Sequence, residues 1–494
     1  MLPAVVTLGL LAGLGGAVPQ YRFVVSEVGN LAYQLDCLSG RPPCAFEDLW
    51  KKRLGWTAED DQALAARKAL TSRYRGSAGT DPEDDGPLMT DLERQVSTRR
   101  KVERAALEAR DLDDYRRRLE MVMLPDEAAD MARTLARFLP RFRVFYREAR
   151  PWLDRLTAIL RQHLARPATQ ELLRRVAVFF EVPSPGDQRA AFPLIAIPPQ
   201  WKGHTSGTQF ENLAVMEVTA ADAADDGRFS IAMHESFHFL YATGPPDRRR
   251  KLVAAFASST DRGAATAYGL LNEALASTLS TGLVRKTFEP PAKWEARWQK
   301  AGTFYQLATV DAVARAMVPW LEQRLARGLG LYEESFVPEY IALCRKVLGP
   351  ELDRPSNARL ILAALDDPAL TAALEVITAR SRPARQLSGS PLADAELRAL
   401  FTRHPQQGGY LMVSAERLDD LGPWESTLGP GVVERLRALI KQHPAFIQGL
   451  PRAGGKGMVY IFVGRQPADF MQLANDFLQA PAPFDLLPGS RLTR

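Results

Sequence analysis

The chain has 494 residues, of which 46% are hydrophobic and 24% are charged, and this is the composition of a globular protein long enough for two or three domains. Its 63 basic and 58 acidic residues leave a formal charge of +5, which is too small to indicate a nucleic-acid-binding surface. The composition therefore argues against a largely disordered chain and against a nucleic-acid partner.

The N-terminus begins with an uncharged apolar segment. Residues 4–17 are apolar or are Gly or Thr, and this run is shorter than the about 20 residues that span a bilayer as a helix. Such a run is typical of a secretory signal, and the small residues Gly15 and Ala17 predict cleavage before Val18. No Lys or Arg precedes the run, so a buried N-terminal segment is the alternative. We expect an exported protein, periplasmic or secreted, with no other membrane segment.

The three cysteines fit that expectation. Cys37 and Cys44 lie in DCLSGRPPCAF, where a glycine and two prolines turn the chain back. This arrangement predicts a disulfide in an exported protein. Cys344 lies on an apolar helix face, and we expect it to be a buried free thiol.

The remaining elements follow in chain order. Residues 45–72 and 89–181 are predicted to be mainly helical, with an acidic loop at 76–87 between them. Two short strand-like runs come next, FPLIAI and one within 208–219, and helical segments then continue to about residue 381. Beyond a linker, GYLMVSAERLDDL and MVYIFVGRQPADFMQLANDFL each predict a strand, a turn and a helix.

We therefore predict an α+β, predominantly α-helical protein in four parts. These are a signal peptide at 1–17, a helical N-terminal region at 18–190, a central domain at 191–381 and a small α/β domain at 390–494. The charge pattern of the N-terminal region does not decide between a removed propeptide and a permanent domain.

The motif His234-Glu235-Ser236-Phe237-His238 carries the most specific chemical pattern of the chain. Residues four apart on a helix share one face, so both imidazoles can bind one metal ion. Glu235 is displaced around the helix and can take a proton from a metal-bound water. This is the HExxH arrangement of zinc metallopeptidases, and two ordinary core histidines are the alternative.

A catalytic zinc ion needs a third protein ligand and one open position. Gly244 stands where the long metzincin motif would place a third histidine. We predict Glu273 instead, because an acidic residue within the apolar sequence GLLNEALASTLS is costly to bury unless it is paired or metal-bound. A surface glutamate is the alternative, and Asp261 is the next candidate ligand.

With HESFH followed by NEALA, residues 192–285 resemble the gluzincin group of zinc metallopeptidases. The resemblance implies a zincin-like catalytic domain with a small sheet above the active-site helix and a mostly helical lower lobe. It also implies that an edge strand within 208–219 binds a peptide substrate through backbone pairing. Many members carry an acidic residue one turn after the third ligand to orient a zinc-bound histidine, whereas this chain has Ser277 there.

The same resemblance implies a Tyr or His that donates to the oxyanion of the tetrahedral intermediate. Tyr305 is our preferred candidate and Tyr268 the other, and a core tyrosine is the alternative for each. His204 is interpreted as a loop histidine near the predicted strand, and the other three histidines as isolated surface residues, so none of the four is assigned a role; the three are His163, His404 and His443.

Together these observations predict an exported Zn²⁺-dependent metallopeptidase that cleaves a peptide or protein substrate with Glu235 as general base. A peptidase-like scaffold that keeps zinc for structure and acts by binding is the alternative function.

Overall fold

The computed structural model describes residues 18–489 with several gaps. The gaps are 40–43, 74–97, 184–188, 200, 202–206, 211, 225–226, 358–360, 382–384 and 452–456. Within 387–407, the structure describes only residues 392, 395, 398, 399 and 401. The predicted signal peptide, the acidic loop at 76–87 and most of the predicted linker lie outside the described residues. His204 and His404 also lie outside them.

Helices make up most of the described chain, which confirms the predominantly α-helical α+β prediction. The α-helices are Glu27–Leu38, Ala58–Arg73, Thr98–Leu107, Leu112–Glu120, Pro125–Leu164, Pro167–Phe179, Gly227–Thr243, Pro246–Ser258, Ala264–Ser277, Pro291–Gln299, Ala308–Ala326, Phe336–Leu348, Thr371–Ser381, Glu425–Leu428, Val432–Ile440 and Pro467–Gln479. Two π-helical segments span Leu49–Leu54 and Thr278–Val284. No helix among the described residues is both long enough and apolar enough to cross a membrane.

The strands form two sheets. The strands are β1 (Gln20–Val24), β2 (Arg189–Ala196), β3 (Gly207–Phe210), β4 (Leu213–Val218), β5 (Ile361–Leu365), β6 (Arg385–Gln386), β7 (Gly408–Ser414), β8 (Phe446–Pro451), β9 (Met458–Gly464) and β10 (Leu486–Pro488). The first sheet has the order β1-β2-β4-β3, and the second has the order β10-β8-β9-β7-β5-β6.

The first sheet differs from the sequence prediction at both of its edges. The strand predicted within 208–219 is confirmed as β4, but β4 lies inside the sheet, and the edge is β3, which was not predicted and which pairs antiparallel with β4. Asn212 lies in a turn directly before β4, a position where asparagine is favoured. At the other edge β1, which the sequence analysis did not predict, pairs in parallel with β2.

Strand β1 ties the N-terminal helical region to the rest of the molecule. Phe23 stacks on Phe192 of β2 at 5.3 Å between ring centroids. Beyond the end of β1, the buried Asn30 continues the edge pairing, because its side-chain amide donates to the Leu194 carbonyl at 2.9 Å and accepts from the Ala196 N–H at 2.7 Å. One hydrophobic core contains buried residues from Phe23 to Leu352, so the N-terminal helices and the motif region are packed together.

The second sheet lies between two layers of helices. Alternate residues of β7 enter separate cores, with Leu411 and Val413 on one face and Tyr410 and Met412 on the other. The predicted strands of this region are confirmed in β7 and β9, and the helix Pro467–Gln479 follows β9 as expected. The prediction of helix up to residue 381 was wrong at β5, whose sequence ILAAL has good helix formers but is paired between two strands.

The cysteines are arranged as the sequence predicts. Cys37 and Cys44 form a disulfide. Cys344 is a buried free thiol, and burial raises its pKa to about 12. This thiol is therefore protonated and unreactive at neutral pH.

Candidate metal centre

Two packed helices carry the motif residues. We call Gly227–Thr243 the motif helix and Ala264–Ser277 the glutamate helix. The two helices contact each other, and the motif helix also contacts β3 and β4 of the first sheet. At the start of the motif helix, the Arg285 guanidinium donates to the Ser230 hydroxyl at 2.9 Å and to the Gly227 carbonyl at 3.4 Å. At its other end Pro245 and Pro246 follow, and proline is unfavourable in the interior of a helix.

The three predicted ligands converge on one point. His234 Nε2 and His238 Nε2 lie 3.0 Å apart, and Glu273 Oε2 lies 3.3 Å from the first and 3.6 Å from the second. His238 is buried, whereas His234 and Glu273 are partly exposed. These three residues are a group that could hold a metal ion.

Each ligand histidine has a partner at its other ring nitrogen. His238 Nδ1 lies 3.0 Å from Asn272 Oδ1, and His234 Nδ1 lies 3.5 Å from Ser280 Oγ. An amide oxygen can only accept a hydrogen bond, so Asn272 favours the tautomer with the proton on Nδ1 and the lone pair of Nε2 directed at the metal site. Sequence reasoning missed both partners, although Asn272 stands directly before the predicted ligand Glu273.

The π-helical turn after the glutamate helix explains how Ser280 reaches His234. Ser277, at the position where the resemblance expects an acidic residue, is fully buried, and its hydroxyl has no hydrogen-bond partner in the described part of the chain. The helix then widens at Thr278–Val284, which packs against the motif helix. Such π-helical insertions are common at functional sites, and this one presents Ser280 to the ligand histidine.

Glu235 is buried on the motif helix, one residue after the first ligand. The next residue, Ser236, points toward β1, where its hydroxyl donates to the Tyr21 hydroxyl at 3.1 Å. Burial raises the pKa of Tyr21 to about 12, so this partner is neutral. The hydrogen bond from Ser236, a residue of the motif, therefore fixes the motif helix to β1 of the first sheet.

The structure separates the two tyrosine candidates. Tyr305 lies in the loop before the helix Ala308–Ala326, and its ring is stacked along the His234 ring with 6.2 Å between centroids. Tyr268 is buried against Phe256 at 5.2 Å, as a core tyrosine would be. The reserve ligand Asp261 is engaged elsewhere, in an ion pair with Arg345.

One histidine differs from its predicted environment. His163 was interpreted as a surface residue, but it is 3% exposed and its ring lies 4.5 Å from the Phe288 ring. It also contacts Phe229 at the start of the motif helix, at 5.5 Å. His163 lies in the last turn of the helix Pro125–Leu164, and aromatic side chains distant in the sequence cover it.

Comparison with known proteins gives no assignment: the chain matches no family model, no curated protein and no solved structure. The resemblance to gluzincins therefore rests on the motif residues and on the arrangement of their side chains.

Proposed function

We propose that the protein is an exported zinc-dependent metallopeptidase of the gluzincin type, and that its first sheet and surrounding helices form a zincin-like domain. The observation that carries this proposal is the spacing of the three candidate ligand atoms. Ligands at about 2.0–2.1 Å from a tetrahedral ion lie about 3.3–3.4 Å apart. The three separations of 3.0, 3.3 and 3.6 Å bracket that value.

The donor set also suits a catalytic site. Two imidazoles and one carboxylate leave the fourth position of a tetrahedral zinc ion open, whereas structural zinc sites are closed by four protein ligands. The contacts of His238 Nδ1 with Asn272 and of His234 Nδ1 with Ser280 also fit a zinc site. Metal-binding histidines usually donate their other ring N–H to a protein acceptor.

In the proposed mechanism, His234, His238 and Glu273 would hold the zinc ion, which would supply Lewis-acid activation that lowers the pKa of a water molecule to about 7. Glu235 takes the proton of this water and later gives it to the leaving amine. Tyr305, beside His234, donates a hydrogen bond to the oxyanion that forms at the substrate carbonyl. Strand β3 is the edge of the first sheet next to the motif helix, and it pairs with the backbone of the extended substrate.

The disulfide supports the proposed location. A bond between Cys37 and Cys44 persists in oxidising compartments such as the periplasm or the extracellular space. An exported peptidase is therefore consistent with both the cysteine pairing and the apolar N-terminal sequence.

The substitution Glu235→Gln tests the proposal against the alternative of a binding scaffold. Glutamine keeps the size of the side chain but removes the base, so zinc content should be retained while cleavage of a peptide library falls by roughly 10²–10⁴-fold. Glu217→Gln is a matched control, because Glu217 is a partly buried glutamate of β4 that is hydrogen-bonded to Tyr33. A wild type that binds zinc and cleaves no member of the library would support the scaffold.

A further inference from the structure

The loop that carries Tyr305 is held by an unusual set of contacts. It connects the helices Pro291–Gln299 and Ala308–Ala326. Gly302 has a φ of +76°, a conformation that favours glycine. The Thr303 hydroxyl donates to the carbonyl oxygens of Arg297 at 2.6 Å and Lys300 at 2.8 Å, so the start of the loop is fixed to the preceding helix.

A single buried carboxylate binds the rest of the loop. Asp311 is 1% exposed, and its two oxygens accept the backbone N–H groups of Gly302 and Phe304, each at 2.9 Å. The Tyr305 N–H lies 3.4 Å from the same carboxylate, and Arg315 donates to it at 2.9 Å. Hydrogen bonds to an ionised acceptor are roughly twice as strong as neutral ones, so this carboxylate determines the backbone path on both sides of Phe304.

Asp311 is ionised under ordinary conditions. Burial by itself favours the protonated acid, but the N–H groups of Gly302 and Phe304 and the charge of Arg315 outweigh it and hold the pKa of Asp311 below its usual value. The loop is therefore bound by a charged acceptor at neutral pH.

The residue before Tyr305 is fixed in the core. Phe304 is 6% exposed and packs over Gly282, where an added Cβ atom would lie 3.2 Å from the phenyl ring. Gly282 belongs to the π-helical segment Thr278–Val284, which also presents Ser280 to His234. The loop and the ligand histidine thus share one supporting element.

We propose that Asp311 is a positioning residue that acts through Tyr305: its carboxylate fixes the loop so that the tyrosine ring lies against His234 at the metal centre. The catalytic consequence rests on the proposed function, whereas the structural consequence does not. Asp311 contacts neither the ligands nor the open side of the site in the described structure, and its effect on catalysis is therefore indirect.

The substitution Asp311→Asn tests this inference. Asparagine keeps the shape of the side chain, but its amide group turns a donor toward the N–H groups that need an acceptor. Hydrogen exchange, measured by mass spectrometry on the metal-free protein, should become faster in the peptide covering 300–307 and remain unchanged in the motif helix. Asp60→Asn is the matched control, because Asp60 is also buried and also accepts from a backbone N–H and from arginines, but it lies in the N-terminal helical region.

Kinetics of the zinc-loaded protein provide the second measurement. Loss of an oxyanion donor costs about 10²–10³-fold in kcat, and we expect Tyr305→Phe to show a loss of this size. Asp311→Asn should lower kcat by at least about tenfold with zinc content unchanged. In the double variant, Asp311→Asn should lower kcat by less than about a further threefold below that of Tyr305→Phe, because both substitutions act through the Tyr305 side chain.

Two results would overturn the inference. The first is an unchanged exchange rate at 300–307 in Asp311→Asn, which contradicts positioning whether or not the protein cleaves peptides. The second is a loss of kcat in Asp311→Asn that multiplies fully with that of Tyr305→Phe, which would mean that Asp311 acts independently of Tyr305. A wild type without peptidase activity refutes the proposed function instead, and the exchange measurement still decides the role of Asp311 in the loop.

Discussion

At the scale of single residues, the two histidines of the candidate metal centre are contacted by side chains that are not themselves candidate ligands. Asn272 lies 3.0 Å from His238, and Ser280 lies 3.5 Å from His234. The contact between Asn272 Oδ1 and His238 is the shorter one, and an amide oxygen can only accept, so this contact constrains the His238 imidazole more strongly. Ser277, one turn after Glu273, makes no hydrogen bond through its hydroxyl within the described chain and does not take over this task.

The substitution Asn272→Ala should therefore lower zinc affinity by about 10–100-fold, the usual cost of losing an orienting partner of a ligand histidine. Ser277→Ala removes a fully buried hydroxyl from the same helix and should leave zinc affinity unchanged. Competition with a chromogenic chelator measures both. Equal affinities for the two variants would show that Asn272 does not orient His238.

Removal of the third ligand should have a larger effect than removal of its neighbour. Glu273→Ala takes away the carboxylate that lies 3.3 Å from His234 Nε2, and zinc affinity should fall by more than the about 10–100-fold expected for an orienting residue. Helical content, measured by circular dichroism, should be retained. Glu295→Ala is the control, because that glutamate accepts a hydrogen bond from Gln299 and is not one of the three candidate ligands. Full zinc occupancy in Glu273→Ala would place the third ligand elsewhere.

The grouping of the three candidate ligands could be predicted from the sequence, and the hydrogen-bond partners of the two histidines could not. His234 and His238 are four residues apart on one helix, and Glu273 stands out as a charge among apolar residues, so local pattern alone indicates them. Ser280 depends on a π-helical widening, and Asp311 acts on a loop that precedes it in the chain. Neither the helix type nor the loop path follows from the periodicity of the sequence.

At the scale of elements, a buried carboxylate joins two helices of the N-terminal region. Asp60, with its side chain fully buried, accepts from Arg141 on the long helix Pro125–Leu164 at 2.8 Å and from Arg137 at 3.0 Å. It also accepts from the Thr57 N–H at 2.9 Å. The hydrogen bond from Arg141 is the main cause that lowers the pKa of Asp60 below its usual value.

Asp60→Asn should destabilise the protein by about 2–3 kcal/mol at neutral pH, since it removes the charged acceptor of a buried hydrogen-bond network in which, among the described residues, Arg137 keeps only Glu59 and Arg141 keeps only the Gly55 carbonyl. The pKa of Asp60 is lower in the folded than in the unfolded protein, where it is 3.8. The stabilisation of the folded protein by ionised Asp60 is therefore fully present above pH 3.8 and is lost as the pH falls toward the folded-state pKa. Thermal unfolding of the wild type and of Asp60→Asn at pH 7 and at pH 3 measures the difference in stability between them, which should be smaller at pH 3. A difference that is larger at pH 3 would contradict the prediction.

The same scale shows where element prediction fails. β1 pairs with β2, which lies more than 160 residues further along the chain, so no local turn or hairpin signal announces it. β5 has the sequence ILAAL, whose leucines and alanines favour a helix, and only its position between β6 and β7 makes it a strand. Long-range pairing decided both cases, and it is the information that a single sequence lacks.

At the scale of the whole molecule, the two sheets belong to separate hydrophobic cores. The first core extends from Phe23 to Leu352 and includes the motif helix, whereas the second sheet has its own cores on its two faces. The N-terminal helices contribute to the same core as the metal centre, which favours a permanent domain over a removable propeptide. The predicted boundary near 390 stays a prediction, although β5 already joins the second sheet at Ile361–Leu365.

A chain that ends at residue 357 should therefore fold and keep its zinc affinity, because it retains the whole first core and all three ligands. A chain that starts at residue 190 should be insoluble or unfolded, because it lacks β1 and the helices that cover β2. Circular dichroism and zinc titration of both truncated proteins provide the comparison. A folded, zinc-binding protein that starts at residue 190 would show that the N-terminal region is dispensable.

The central claim is that His234, His238 and Glu273 hold one zinc ion. Anomalous diffraction from crystals of the purified protein, recorded just above and just below the zinc absorption edge, tests it most directly. We predict one zinc peak per chain at about 2.0–2.1 Å from the Nε2 atoms of both histidines, with the Glu273 carboxylate as the third protein ligand. Two results would contradict the account. One is an anomalous peak that persists below the zinc edge and is lost only below the edge of another metal. The other is the absence of any peak between these three side chains in crystals grown with zinc.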